Sequence, residues 1–91
     1  MDFQYEKNRI FALNEAEQLV AEITFPETGP GEVTIDRTFV DDSLRGQGVA
    51  GKLVEEACKE IKKQNKKMAV TCSYAAKWLE QHDGYDDLIR S

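Results

Sequence analysis

The chain has 91 residues, a formal net charge of −5 and 41% hydrophobic residues, a composition typical of a small globular protein and not of a disordered one. It contains no apolar run near the ~18 residues of a membrane span, and its N-terminus carries no secretory signal. Its two cysteines, Cys58 and Cys72, and its single histidine, His82, fit neither a disulfide framework nor a zinc site. We therefore expect one domain over residues 1–91, in the cytoplasm, with no metal and no membrane partner.

Four strands are predicted first, at residues 4–7, 9–13, 18–25 and 32–40, where apolar and polar side chains alternate. Short connections join them, and residues 26–31, with two prolines and two glycines, are predicted to form a loop. The four strands should therefore form an antiparallel meander. In the fourth strand, alternation places side chains 33, 35, 37 and 39 on one face.

A long helix is predicted over residues 49–63, because its apolar residues recur at three- and four-residue steps. This stripe consists of Ala50, Leu53, Val54, Ala57, Cys58 and Ile61. Asn65 suits the left-handed residue that ends such a helix. An apolar strand at 68–72, a short helix at 75–82 and a turn at 83–85 follow. The crossover through the long helix should make strands 32–40 and 68–72 parallel, which completes an α+β fold.

The charge is uneven along this order of elements. Residues 1–42 carry −7, residues 43–78 carry +5, and residues 79–91 carry −3. The basic part opens with the glycine-rich run Arg45–Gly51, a reasonable place for a small polyanionic ligand. The alternative is that the lysines between 62 and 67 only form a solvated helix end, where they complement the dipole.

The run from Gly46 to Gly51 spells G-x-G-x-x-G, the fingerprint of dinucleotide-binding folds. Its context excludes that fold, because the run follows a meander and no carboxylate stands ~20 residues on, at the tip of the next strand. The glycines still allow a tight turn, and the first helical turn leaves its amides unpaired. These features predict a pyrophosphate site to which Arg45 adds charge, or a glycine-rich helix entry without a ligand.

A family resemblance rests on these same residues. Arg45-Gly46-Gln47-Gly48-Val49-Ala50 matches the Arg/Gln-x-x-Gly-x-Gly/Ala signature of the GNAT superfamily of N-acetyltransferases. The segments at 35–40, 44–54 and 72–88 resemble the "IDHTxV", "LRGxGxGxxLV" and "CSYAxxWLxxHxxYxDL" patterns of its compact single-domain members. Arg37 departs from the pattern, because many relatives carry histidine there.

The resemblance implies a GNAT-like fold that binds acetyl-CoA where strands 32–40 and 68–72 separate. The residues implied to bind it are Phe39, Val40, Arg45, Gly46, Gln47, Gly48, Val49, Ala50, Gly51 and Lys77. Lys52 is a further candidate for the nucleotide phosphates. Larger GNAT enzymes use two additional helices to form the acceptor pocket. This chain has no room for them, so its acceptor side should be open, or completed by a weak homodimer or a partner subunit.

Cys72 and Tyr74 are the candidate catalytic residues. The thiol of Cys72 would take the acetyl group as a thiolate or give a proton to departing coenzyme A, and Tyr74 resembles a GNAT general acid. Their structural alternatives are a small buried thiol and a packing tyrosine. An apolar strand would raise the thiol pKa, whereas the adjacent helix start would lower it. Glu32 and Asp36 are possible bases, and His82 is expected to be a cation at a helix C-terminus.

Two functions follow. The first is an acetyl-CoA-dependent N-acetyltransferase that acts on an unidentified amine, and the second is a protein that binds acetyl-CoA without turnover. Nucleic acid is not expected as a partner, because the chain is acidic and its lysine-rich segment lacks interleaved aromatic residues.

Overall fold

The fold was analysed in a computed structural model that describes residues 2–82 and 84–89. The predicted domain at 1–91 extends beyond these residues, and Asp83 of the predicted turn lies outside them. The strands are β1 (Gln4–Glu6), β2 (Arg9–Leu13), β3 (Leu19–Thr24), β4 (Glu27–Gly29), β5 (Glu32–Ile35), β6 (Arg37–Val40) and β7 (Lys67–Val70). The helices are α1 (Val49–Lys63) and α2 (Ser73–Glu80), with 3₁₀ turns at Asp42–Leu44 and Asp86–Leu88.

The strands form two sheets. The chain passes directly from one to the other at Asp36, between β5 and β6. The first sheet has the antiparallel order β1-β2-β3-β6, which confirms the predicted meander. The second has the order β4-β5-β7, in which β5 and β7 are parallel, as predicted for the two ends of the crossover. The segment predicted as a loop at 26–31 instead contains β4, whose residue Glu27 pairs with Val33. That prediction was wrong because cross-strand pairing outweighs local turn preference there.

The predicted strand at 32–40 is divided by a β-bulge at Asp36. The Asp36 amide donates to the Thr24 carbonyl over 3.3 Å, and Arg37 also pairs with Thr24, so two residues lie opposite one. The bulge moves the alternation by one residue. Thr38 pairs with the buried Ile23, on the face that α1 covers.

The prediction that side chains 37 and 39 continue the face of 33 and 35 is therefore wrong. Val33 and Ile35 are fully buried, but Arg37 and Phe39 lie on the opposite, outer face of the sheet. Phe39 pairs there with Glu22. Arg37, which replaces the histidine of many relatives, therefore places its side chain on the outer face of the sheet.

Helix α1 supplies the largest part of the core. Of the six residues of its predicted apolar stripe, Ala50 is half-buried and the other five, namely Leu53, Val54, Ala57, Cys58 and Ile61, are fully buried. They pack against the inner face of the sheet. Asn65 adopts the left-handed conformation, with φ 59°, and the Lys66 amide donates to the Ile61 carbonyl, as in a capped helix end. Within the described residues, no helix is both long and apolar enough to cross a lipid bilayer.

Glu22 is a buried charged residue on the outer face of the sheet. Its carboxylate accepts a hydrogen bond of 2.5 Å from Arg9 Nε and lies 3.8 Å from Arg37 Nη1. Arg9 also stacks over the ring of Phe11, 3.9 Å from its centroid. The guanidinium of Arg9 therefore covers the ring of Phe11 on the outer face of the sheet.

We expect Glu22→Ala to lower the free energy of unfolding by about 2 kcal/mol, because it leaves Arg9 without its main partner over a buried surface. Glu6 contacts the same guanidinium at 3.3 Å but is more than half exposed, so Glu6→Ala should change stability by less than about 0.5 kcal/mol. Urea unfolding measures both variants. Equal losses for the two would contradict the special role of Glu22.

Candidate active site

The site lies where β6 and β7 diverge. The amides of Thr71 and Cys72 both donate to the Ile35 carbonyl, at 3.0 and 3.2 Å, and β7 makes no further pairing along β6. β6 pairs with β3 on its other side, and within the described chain its second edge has no strand partner. The opening between the strands is therefore lined by unpaired main chain.

The register determines which main-chain groups face this opening. The Asp41 amide donates to the Val20 carbonyl over 2.8 Å, so alternation directs the main-chain groups of Phe39 toward β3. The main-chain groups of Thr38 and Val40 then face the open edge. An extended ligand with amide groups can pair with these two residues as an added strand does.

A glycine-rich turn leads from β6 into α1. Gly46 and Gly48 have φ values of 80° and 72°, in the left-handed region that favours glycine. Gly48 is the N-cap of α1, and no side chain caps the helix. A Cβ atom at either glycine would meet no heavy atom within 4 Å, so the space in front of the turn is open.

The first turn of α1 presents main-chain donors to this space. The first helical hydrogen bond runs from the Lys52 amide to the Gly48 carbonyl, at 3.1 Å. Among the described residues, no backbone acceptor receives the amides of Val49, Ala50 and Gly51. The Gln47 amide already donates to Leu44, although at 3.3 Å. Unpaired amides and the positive end of the helix dipole are both features that favour a bound anion.

Two clefts meet at this helix end and share Gly48 and Val49. The smaller, of about 260 Å³, is lined by Val40, Leu44, Arg45, Gly46, Gly48, Val49, Ala50 and Tyr74. The larger, of about 690 Å³, is lined by Asp2, Phe3, Tyr5, Gln47, Gly48, Val49, Lys52 and Glu56. The smaller cleft joins Val40 of β6, the first turn of α1 and Tyr74 of α2.

Cys72 lies at the same divergence, as the N-cap of α2. Its Sγ atom is 3.5 Å from Oγ1 of Thr38 across the opening. Burial raises the pKa of the Cys72 thiol, but the Thr38 hydroxyl and the nearby amides of Ala75, Tyr74 and Thr38, which favour the thiolate, outweigh burial, so the pKa lies below its ordinary value of 9.0. Of the two opposing effects that the sequence left open, the one that lowers the pKa is therefore the larger.

Cys58 differs from Cys72 in its surroundings. It is fully buried in α1, and burial, with a smaller contribution from Glu55, raises its pKa to about 12. A thiolate does not form there near neutral pH, so Cys58 belongs to the core, as the sequence indicated.

The sequence profile of the GCN5-related N-acetyl-transferase family matches residues 9–88. The chain belongs to the GNAT family. It is also similar over 99% of its length to a GCN5-like N-acetyltransferase candidate from Staphylococcus aureus, solved in solution, with 31% identity, a TM-score of 0.79 and 88% of that chain covered.

Larger GNAT structures share the fold at lower identity. A GNAT family N-acetyltransferase (YhbS) from Escherichia coli, solved in complex with CoA, has 20% identity and a TM-score of 0.63 over 78% of this chain and 44% of its own. A GNAT family acetyltransferase from S. aureus Mu50 has 18% identity and a TM-score of 0.63. The match covers 80% of this chain and 49% of that protein. The chain therefore spans about half the length of these two proteins. No curated protein sequence matches it significantly.

The GNAT fold brings most of the predicted residues together. Val40, Arg45, Gly46, Gly48, Val49, Ala50 and Tyr74 line the smaller cleft. Gln47 lines the larger one, whereas Lys77 is exposed on α2 and lines neither. Leu44 and the N-terminal residues of the larger cleft were not predicted as site residues, because no local sequence pattern marks them as binding residues. Tyr5 is one of these, and its hydroxyl donates to Glu56 over 2.7 Å, which raises the tyrosine pKa to about 12.

Gly51 sets the approach of α2 to α1. A Cβ atom built on it would lie 2.9 Å from Nε1 of Trp78 and 3.5 Å from the hydroxyl of Tyr74. Tyr74 is 43% exposed beside the smaller cleft. His82 follows the C-terminus of α2, stacks on Trp78 with centroids 3.9 Å apart, and places Nδ1 2.8 Å from the Trp78 carbonyl oxygen. The absence of a side chain at Gly51 therefore allows Trp78 to pack closely against α1, and His82 stacks on the indole ring of Trp78.

Gly51→Ala should lower the free energy of unfolding by about 2 kcal/mol, because the new methyl group displaces Trp78 from α1. Gly29 serves as a control, because a Cβ atom there meets nothing within 4 Å. Gly29→Ala should change stability by less than about 0.5 kcal/mol. Thermal unfolding followed by the fluorescence of Trp78, the single tryptophan, measures both. An unchanged spectrum and midpoint for Gly51→Ala would show that the helices do not pack this closely.

The two acidic residues proposed as bases lie in different places. Asp36 is exposed at the bulge and accepts a hydrogen bond of 2.5 Å from Thr24 Oγ1. Glu32 begins β5 and pairs with Lys67, three residues or about 10 Å before Ile35 along the strand. Asp36 is thus the closer of the two to the divergence of β6 and β7.

Proposed function

We propose that this protein binds acetyl-CoA and transfers its acetyl group to an amine. The observation that carries the proposal is the meeting of three groups at one opening. These are the unpaired amides at the start of α1, the free main-chain edge of β6, and the thiol of Cys72. A ligand with a diphosphate, an amide-containing arm and a thioester needs these groups in this order.

The described residues fit such a ligand. The amides of Val49, Ala50 and Gly51 would hold the diphosphate, and Arg45, whose side chain is largely exposed, would add charge. The main-chain groups of Thr38 and Val40 would hold the pantetheine amides. Lys52 lines the larger cleft and would approach the nucleotide phosphates. The CoA complex of the E. coli protein, which shares the fold, supports this arrangement.

Acetyl-CoA supplies an acetyl group activated as a thioester. The chain's contribution is the thiolate of Cys72, which attacks the carbonyl carbon, forms a new carbon–sulfur bond and expels the thiolate of coenzyme A. The neutral amine then attacks the acetyl-cysteine, breaks that carbon–sulfur bond and loses one proton to the departing sulfur or to solvent. In a direct transfer the neutral amine forms the carbon–nitrogen bond, the Cys72 thiol gives its proton to the leaving thiolate of coenzyme A, and the proton lost by the amine restores the thiol. Tyr74, beside the cleft, is a second candidate proton donor.

A second function is favoured by the size of the fold. Only Lys7 and Asn8 separate β1 from β2, and the matched part of this chain covers only 49% and 44% of two larger relatives that share the fold. The acceptor side is therefore open in the described residues. A protein that binds acetyl-CoA and acts only with a partner subunit or a second copy would show the same site.

Incubation with acetyl-CoA that is labelled in the acetyl group distinguishes the two functions. Transfer of label to Cys72 or to an added amine, lost in Cys72→Ala and kept in Cys58→Ala, supports the transferase. Saturable binding with no loss of the thioester over the same time supports the binding protein. Absence of binding would contradict both.

We also propose that residues 1–91 form one domain of a cytoplasmic protein. The family profile covers residues 9–88, which supports a single domain. Cys58 and Cys72 are both free thiols, which suits a reducing compartment.

A further inference from the structure

The Thr38 hydroxyl faces the Cys72 thiol across the opening between β6 and α2. The two atoms are 3.5 Å apart, within the reach of a sulfur hydrogen bond, and both residues are half-buried. In the described chain, no other side chain forms a hydrogen bond with this sulfur. The two residues are 34 positions apart, so only the tertiary fold brings them together.

The contact depends on the bulge at Asp36. Strict alternation from Ile35 would turn side chain 37 toward the inner face and side chain 38 outward. Because Asp36 and Arg37 share one partner, Thr38 turns inward beside Ile23, and Arg37 turns to the outer face. One extra residue in the strand therefore selects a hydroxyl, in place of a guanidinium, as the neighbour of the thiol.

We propose that Thr38 is a positioning residue for Cys72. Its hydroxyl accepts a hydrogen bond from the neutral thiol and donates one to the thiolate once the thiol proton has passed to solvent, so it holds the sulfur at the divergence of the strands in both states. The Thr38 main chain meanwhile faces the open edge of β6. Thr38 therefore holds the sulfur with its side chain, and its main chain can hold a ligand that pairs along the open edge of β6. The distance between the sulfur and that ligand is thereby fixed. The inference rests on the proposed function only because it takes Cys72 as the residue that reacts with the acetyl thioester.

Alkylation of Cys72 by iodoacetamide, measured as a function of pH without acetyl-CoA, tests this role. Thr38→Val keeps the shape and removes the hydroxyl, whereas Thr38→Ser keeps the hydroxyl and removes the methyl group. The rate follows the thiolate fraction. Loss of a hydrogen bond to the thiolate should therefore move the midpoint to higher pH and slow alkylation at pH 7.5 by about three- to tenfold. Thr38→Ser should stay within about twofold of the natural protein.

Cys58 provides an internal control, because it is fully buried and should not react in the folded chain. If Thr38→Val also alkylates at Cys58, that variant has unfolded, and Thr38→Ala takes its place with the same expected shift. A pH profile that Thr38→Val or its replacement leaves unchanged would overturn the proposal. So would a Thr38→Ser profile that matches Thr38→Val, because the methyl group would then be the cause.

Failure of the proposed function has a different signature. A protein that never transfers acetyl groups still shows the alkylation profile, so that result tests Thr38 alone. Where transfer occurs, Thr38→Val should lower the transfer rate by a similar factor and leave the Kd for coenzyme A within about twofold.

Discussion

Cys72→Ser is expected to reduce acetyl transfer at least ~100-fold, while the Kd for coenzyme A stays within about threefold. The substitution keeps the size of the side chain and replaces a sulfur whose pKa lies below 9.0 with a hydroxyl that does not ionise near neutral pH. The diphosphate donors of α1 and the open edge of β6 are unchanged, so binding should persist. Release of free coenzyme A thiol, followed with a thiol reagent, measures the rate.

The rate of acetyl transfer should also depend on pH. Because the pKa of Cys72 is lowered, transfer through the thiolate should rise with pH, and the midpoint of that rise should lie below pH 9.0. Cys58→Ala is the matched control, since that thiol is buried and its pKa is raised to about 12. It should keep the rate and profile of the natural protein, with some loss of stability. A Cys72→Ser protein that transfers acetyl at the natural rate would exclude the thiol from the chemistry.

Gly48→Ala should weaken coenzyme A binding at least ~10-fold. Two effects combine, because the residue has φ 72° and its Cβ atom would project into the open space before the unpaired amides of α1. The strain alone costs about 1 kcal/mol of stability. The loss of affinity requires that a ligand occupy the space in front of the turn. Isothermal titration with coenzyme A and thermal unfolding separate the two effects.

Gly31 offers a control with the same backbone strain. Its φ is 69°, its Cβ atom would also meet nothing within 4 Å, and it lies between β4 and β5, away from α1. Gly31→Ala should therefore lose about the same stability and keep the natural affinity. If the two variants lost affinity equally, general destabilisation would explain the effect and the helix end would not be the binding site.

The sequence predicted those parts of the fold that local pattern determines. The stripe from Leu53 to Ile61 has one period and one buried face, and Asn65 ends the helix by a local conformational preference. The parallel pairing of β5 with β7 follows from the chain order, because a single helix connects them. The glycine-rich run predicted the turn before α1, and the GNAT resemblance added Cys72, whose neighbours the periodicity alone does not give.

The remaining features depend on contacts between distant residues. The bulge at Asp36 arises because β5 pairs with β4 and β7 while β6 pairs with β3, and the alternating pattern of 32–40 carries no sign of it. The predicted faces of Arg37 and Phe39 were wrong for that reason, and the Thr38–Cys72 contact could not be found. Tyr5 and Glu56, 51 residues apart, meet only in the folded chain. α2 begins at Ser73, two residues earlier than predicted, because Cys72 leaves the sheet once Ile35 has accepted its amide.

The central claim is that main-chain amides at the start of α1 bind the diphosphate of coenzyme A. Titration of the ¹⁵N-labelled chain with coenzyme A, followed through amide chemical shifts, tests it directly. We predict saturable shifts that are largest at residues 48–51, with smaller shifts at Thr38, Val40 and Cys72. Signals at 48–51 that stay fixed at millimolar coenzyme A, or shifts confined to other parts of the chain, would contradict the claim.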